Sequence, residues 1–185
     1  MRRALPWILG AALAIGAGAV TAVTPTDDDV LAPFSLRAEV GDAVSSRTMA
    51  ATVTAATLAD EIVVPDAGWS AEGDWLVVTI EASARHTEVD AAVQLATLTV
   101  DGRVFLASER PSAALRGTPL RAGIDTAGML AFELPPDATG GTAELRLTTA
   151  FITSELDDMI VVTIDLDDLD RTASVDLTAS EVVGR

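Results

Sequence analysis

Seven acidic residues fall between positions 155 and 170: Glu155, Asp157, Asp158, Asp165, Asp167, Asp168 and Asp170. Hard cations such as Ca²⁺ take several oxygen ligands at flexible spacing, so this set is the strongest chemical candidate in the chain. Asp165, Asp167, Asp168 and Asp170 are the metal-ligating candidates. Their Asp-x-Asp-Asp-x-Asp run lacks the glycine at the sixth position and the glutamate at the twelfth that an EF-hand loop requires. With residues 160–166 as a strand, Asp165 and Asp167 share one face, and Asp168 and Asp170 fall in the loop beyond. The expectation adopted is the plainer one, a solvated acidic edge that discourages pairing between sheets. No firm metal site and no cofactor are predicted.

His86 is the single histidine. It stands in a polar turn beside Arg85 and near Glu88, and the chain has no Gly-x-Ser-x-Gly elbow, so it reads as a surface histidine and not as a general base. Zinc would have to be held almost wholly by carboxylates, because there is no cysteine. Gly140-Gly141 and the Gly16/Gly18 pair lack the strand, helix and lysine context of a phosphate loop. Trp69 is a candidate for stacking on a sugar; without a tyrosine to extend the platform it is expected to cap one end of the fold. No catalytic residue is predicted, and the chain is read as a non-enzyme.

What would position these residues is a sheet. Residues 75–84, Trp-Leu-Val-Val-Thr-Ile-Glu-Ala-Ser-Ala, are rich in β-branched side chains and follow Gly73-Asp74, which marks them as a central strand. Residues 159–165 repeat the Val-Val-Thr-Ile-acid core. Residues 34–40 alternate Phe34, Leu36, Ala38 and Val40 against polar partners, the period-2 pattern of a strand with one wet face. Residues 48–62 read as a long strand that bends near Ala56-Thr57, and residues 65–73 as a loop. Asp101-Gly102 joins two strands by a type I′ hairpin turn, in which both central residues take positive φ. Residues 129–134, 143–150, 160–166 and 173–178 complete eight or nine short strands without an amphipathic helix, the pattern of an all-β antiparallel sandwich. Trp75, Val77, Phe132 and Leu134 are expected to share one core.

The 185 residues fit one domain, and 49% apolar composition supplies its core. All the basic residues are arginine, and the formal net charge is −16. Setting aside Arg2 and Arg3 leaves ten arginines against 28 acids, near −18. Nucleic acid is therefore excluded as a partner, since its binding needs clustered cations.

Met1-Arg2-Arg3 precedes an uncharged, apolar run over residues 4–23. A basic head before such a run is an export signal, and its length just reaches the ~20 residues of a membrane span. Arg2 and Arg3 against Asp27-Asp28-Asp29 orient it with the bulk of the chain outside. Retention as a single membrane anchor is expected, with the domain outside the cell membrane. The alternative is secretion after cleavage at Ala17-Gly18-Ala19 or Val20-Thr21-Ala22. The resulting organisation is a signal-anchor or signal peptide over 1–23, an acidic linker over 24–33, the sandwich over 34–180 and a tail over 181–185.

Taken with this exported position, five blocks resemble the DUF4352-type extracellular immunoglobulin-like domains of Gram-positive, actinobacterial-type bacteria. They are residues 34–40, Gly73-Asp74-Trp75-Leu76-Val77-Val78, the hairpin over 98–108, residues 120–123 and Gly128-Met129-Leu130-Ala131-Phe132-Glu133-Leu134-Pro135. The similarity spans residues 34–166. It implies an immunoglobulin-like β-sandwich, secreted or tethered to the membrane, with no catalytic residues to carry over. The chain departs from that family in lacking a lipobox cysteine and an asparagine after the core strand. The function expected is an interaction or cell-envelope module for an unknown envelope protein or ligand; the alternative is a calcium-binding or sensory domain.

Overall fold

The structure is a computed structural model that describes residues 5–23, 30–87, 89, 91–151 and 154–183. The expected basic head Arg2-Arg3, the Asp27-Asp28-Asp29 run, Glu88 and the last two residues of the tail lie outside the described residues. The chain divides into two compact units, Met1–Ala32 and Pro33–Arg185.

The first unit includes the helix α1 (Leu5–Val23). Pro6 is tolerated in its first turn, where backbone N–H groups have no intrahelical partner. Near its other end Thr21 Oγ1 donates to the Ala17 carbonyl at 3.0 Å. The side chains of residues 7–21 are all exposed. The helix as a whole is 19 residues long, roughly 28 Å at 1.5 Å per residue. Among the described residues no helix is long and apolar enough to cross a membrane.

The second unit is a β-sandwich. Its strands are β1 (Phe34–Glu39), β2 (Ala43–Ser45), β3 (Met49–Val64), β4 (Trp69–Ala84), β5 (Leu95–Val100) and β6 (Arg103–Leu106). They continue with β7 (Thr126–Leu134), β8 (Thr142–Thr148), β9 (Asp158–Asp165), β10 (Arg171–Thr172), β11 (Val175–Asp176) and β12 (Glu181–Val182). One sheet runs β1-β9-β8-β5-β6 and the other β10-β3-β4-β7-β12, with β2 and β11 also paired to β3. Among the described residues twelve strands stand where eight or nine were expected; β11 falls within the expected 173–178, whereas the additional β2, β10 and β12 are only two or three residues long. Such short pieces carry too little periodicity to be read. Because β12 pairs with β7, the sandwich runs past residue 180, into the expected tail.

The strand expected to be central is so: β4 lies between β3 and β7. Alternation sends Leu76, Val78 and Ile80 into the core between the sheets, where Leu98, Leu130, Phe132, Leu145 and Ile160 meet them. It sends Trp75 and Val77 to the opposite face. There they pack with Ala59, Ile62, Val64, Ala131 and Leu177 in a second cluster. The expectation of one shared core is therefore corrected. Trp75, Val77, Phe132 and Leu134 are all buried, but in two clusters on opposite faces of one sheet. The cover for the outer face comes from the C-terminal segment, where Leu177 donates its N–H to the Val63 carbonyl at 2.7 Å.

Three other expectations shift. β1 is an edge strand, paired parallel with β9 alone, and leaves Phe34 60% exposed, so its first residue does not reach the core. The break in β3 comes as two register shifts, between Val53 and Ala55 and between Ala59 and Glu61, and not at Ala56-Thr57. Residues 65–73 are not an open loop: a 3-10 turn over Pro65–Ala67 and Gly68 at φ 58° return the chain directly into β4. The Asp101-Gly102 turn is as expected, with φ of 48° and 75°.

Candidate functional site

The acidic set is divided by the fold. At the start of β9, Asp157 and Asp158 are taken up by Arg47, whose Nη2 lies 2.7 Å from Asp157 and whose backbone N–H donates to Asp158 at 2.7 Å. Asp165, the last residue of β9, accepts the Asp167 N–H at 3.1 Å and so closes the turn. Asp167 lays its carboxylate against Gly140, where a β-carbon would stand 2.8 Å from Oδ1. Asp170 acts through its backbone, accepting the Leu58 N–H at 3.0 Å. Only Asp165 and Asp168 of the candidate ligands reach one cavity. Among the described residues no group of three or more His, Asp or Glu side chains is arranged to hold a metal ion.

That cavity, of about 450 Å³, opens between β1, β9 and β3. Val40, Ala56, Ile164 and Leu169 supply apolar walls, and Glu39, Asp165 and Asp168 supply carboxylates. No described arginine pairs with these three acids; the nine ion pairs use other carboxylates. The walls come from both sheets because β3 breaks register at Thr54, and Ala56 and Leu58, not Ala55 and Thr57, then face the core. The second break, at Asp60, sends that carboxylate to Arg171, which it meets at 2.7 Å; Arg171 also pairs with Asp74. Hydrogen bonds donated by Arg171 to Asp74 and to Asp60 raise the Arg171 pKa and pin β10 beside Leu58.

The edge of β3 beside this cavity is covered in pieces. β2 pairs with it over Ala50, Ala51 and Thr52, β10 over Leu58 and Ala59, and β11 over Ile62 and Val63. The Val53 carbonyl accepts the Gly41 N–H at 2.8 Å. Between these covers the edge at Ala55, Ala56 and Thr57 has no partner among the described residues. Leu58 aims its N–H outward to Asp170, so Ala56, two residues earlier, aims its N–H and C=O the same way.

On the outer face of the other sheet, Glu144 accepts from Arg37 at 2.8 Å and Arg146 at 2.9 Å. Hydrogen bonding to Arg37 and then to Arg146 holds the Glu144 carboxyl below its ordinary range, against a smaller effect of burial. His86 is exposed in the turn after β4. Trp69 is half-buried against the second cluster, and the Arg110 guanidinium lies 5.5 Å from the centre of its ring. It packs on the outer face of the sheet, where capping of one end of the fold was expected.

No family model matches the chain, and no curated protein matches it. The fold is a β-sandwich. Two solved structures resemble it. One is an uncharacterized beta-sandwich protein from Clostridium difficile, 8% identical, covering 77% of this chain and 100% of its own, with a TM-score of 0.49. The other is the yjhA protein from Bacillus subtilis, 12% identical, covering 67% of this chain and 98% of its own, with a TM-score of 0.44.

Sequence reasoning found Asp165 and Asp168 but missed Glu39, Val40 and Ala56. The missed three read as ordinary strand and turn residues. What makes Ala56 distinctive is where β2 and β10 stop, and no local pattern encodes that. The register breaks had a faint trace, the change of apolar phase between Val53 and Leu58.

Proposed function

We propose that the protein is an exported, non-enzymatic interaction module of the cell envelope, related to the DUF4352-type immunoglobulin-like domains. The observation that carries this reading is the cavity between β1, β9 and β3. It combines apolar walls with carboxylates that no described arginine pairs, the composition of a binding surface. Export is supported by the basic head and the apolar residues 4–23. The acidity of the remaining chain suits a soluble domain that excludes nucleic acid and favours basic partners.

The test is a C-terminally tagged full chain expressed in a Gram-positive host, with protease added to intact cells. Export predicts loss of the tag under protease, or its appearance in the medium. Full-length protein in the membrane pellet then identifies residues 4–23 as an anchor, and a species beginning at Val20 or Val23 identifies a cleaved signal peptide. A full-length, protease-protected species in the cytosolic fraction overturns the proposal.

A further inference from the structure

We propose that the uncovered stretch of β3 and the cavity beside it bind an extended, arginine-bearing peptide segment of a partner protein. The inference rests on the interaction reading above and names the partner's chemistry. Three independent features meet at one place. The first is the Ala56 N–H and C=O, which point out of the sheet between the covers supplied by Gly41 and by the β10 segment. An open backbone edge is satisfied by another extended strand, the mode in which peptides add to sheets. The gap is about three residues wide, so the added segment is short and β2 and β10 mark its ends.

The second feature is the cavity into which such a segment would send a side chain. At about 450 Å³ it exceeds what one small residue fills. Its walls at Val40, Ala56, Ile164 and Leu169 suit an aliphatic stem. The third is the trio Glu39, Asp165 and Asp168, with no described arginine between them. A guanidinium on a three-carbon stem matches both halves: the stem lies along the apolar walls and the fork reaches carboxylates by charge-assisted hydrogen bonds. A carboxylate-bearing segment would meet like charge on a chain already at −16.

The experiment is fluorescence anisotropy of a labelled hexapeptide, Thr-Val-Arg-Val-Arg-Thr, with the full chain at low salt. Three comparisons accompany it: the same peptide with glutamine for arginine, the same peptide N-methylated at its central valine, and spermidine as a free-cation competitor. The expected result is saturable binding that falls at least tenfold in each altered peptide. It should fall as much in the chain carrying Asp165→Asn with Asp168→Asn, and a large excess of spermidine should displace the peptide only partly. These substitutions keep the oxygen that closes the turn, so folding is checked by an unchanged circular dichroism melt. Equal binding of the glutamine peptide, or of the peptide by the double variant, overturns the charge match. Equal binding of the N-methylated peptide with full displacement by spermidine shows a cation pocket without strand addition and overturns the proposal, as does an absence of peptide binding. A failed peptide experiment leaves the export result standing, and a protected tag in cells leaves the binding measurement standing.

Discussion

Phe132→Ala is the perturbation that most directly tests how the two apolar clusters divide. Phe132 is wholly buried between the sheets and lies opposite Leu76 in the β4–β7 register. Removing a ring from such a site costs about 3–5 kcal/mol, the lost transfer free energy plus that of the cavity left behind. For a domain of about 150 residues this corresponds to a fall in Tm of roughly 6–20 °C. The sharper test is its coupling to neighbours. Leu76→Val shortens a side chain in the same cluster, and Val77→Ala shortens one on the opposite face, opposite Ala131. Urea melts followed by circular dichroism should give Phe132→Ala and Val77→Ala additive costs within about 0.5 kcal/mol, whereas Phe132→Ala and Leu76→Val should interact by more than that. The single Val77→Ala change should itself cost roughly 2 kcal/mol, from two buried methyl groups and a partial cavity. Coupling to Val77 without coupling to Leu76 would place Phe132 on the outer face and refute the assignment.

Leu177→Ala should uncover the outer cluster, costing about 2–5 kcal/mol and shifting tryptophan emission to the red as Trp75 gains water; unchanged emission would mean the C-terminal segment does not cover that face. Glu144→Gln should flatten the loss of stability in acid. Arg37 and Arg146 lower the folded-state pKa of Glu144, so its contribution is present above the unfolded carboxylate value, about 4.3, and is lost as pH falls through the lower folded value. The pair is partly exposed and the effect is small; it is read as the difference in Tm between neutral pH and about pH 3, which should be smaller in the variant. Millimolar Ca²⁺ should leave the melt of the wild-type chain unmoved, since Asp165, Asp167, Asp168 and Asp170 do not converge; a rise that Asp167→Asn with Asp168→Asn abolishes would restore the calcium reading.

Local pattern was enough for much of the architecture. The run of β-branched residues at 75–84 marked the middle strand of a sheet, the Asp101-Gly102 pair marked a hairpin with both residues at positive φ, and the alternation at Ala143, Leu145 and Leu147 marked an inward face, all of which the fold bears out. These features depend on the preferences of a few neighbouring residues, and so they are written in a few neighbouring letters. The resemblance that suggested a named family finds no matching family model, while the β-sandwich it implied is present. Which face of β4 belongs to which cluster was not legible, because alternation gives two faces without saying that a segment a hundred residues later will cover the outer one with Leu177. The same holds for the candidate site. Asp165 and Asp168 were visible as acids after a strand. Their placement beside Glu39 and the open edge at Ala56 depends on the parallel pairing of β1 with β9, on two register breaks in β3, and on where β2 and β10 end. Each of those is a contact between residues far apart in the chain, set by which packing of both sheets buries the most apolar surface while leaving the fewest backbone groups unpaired, and only the folded molecule settles that competition.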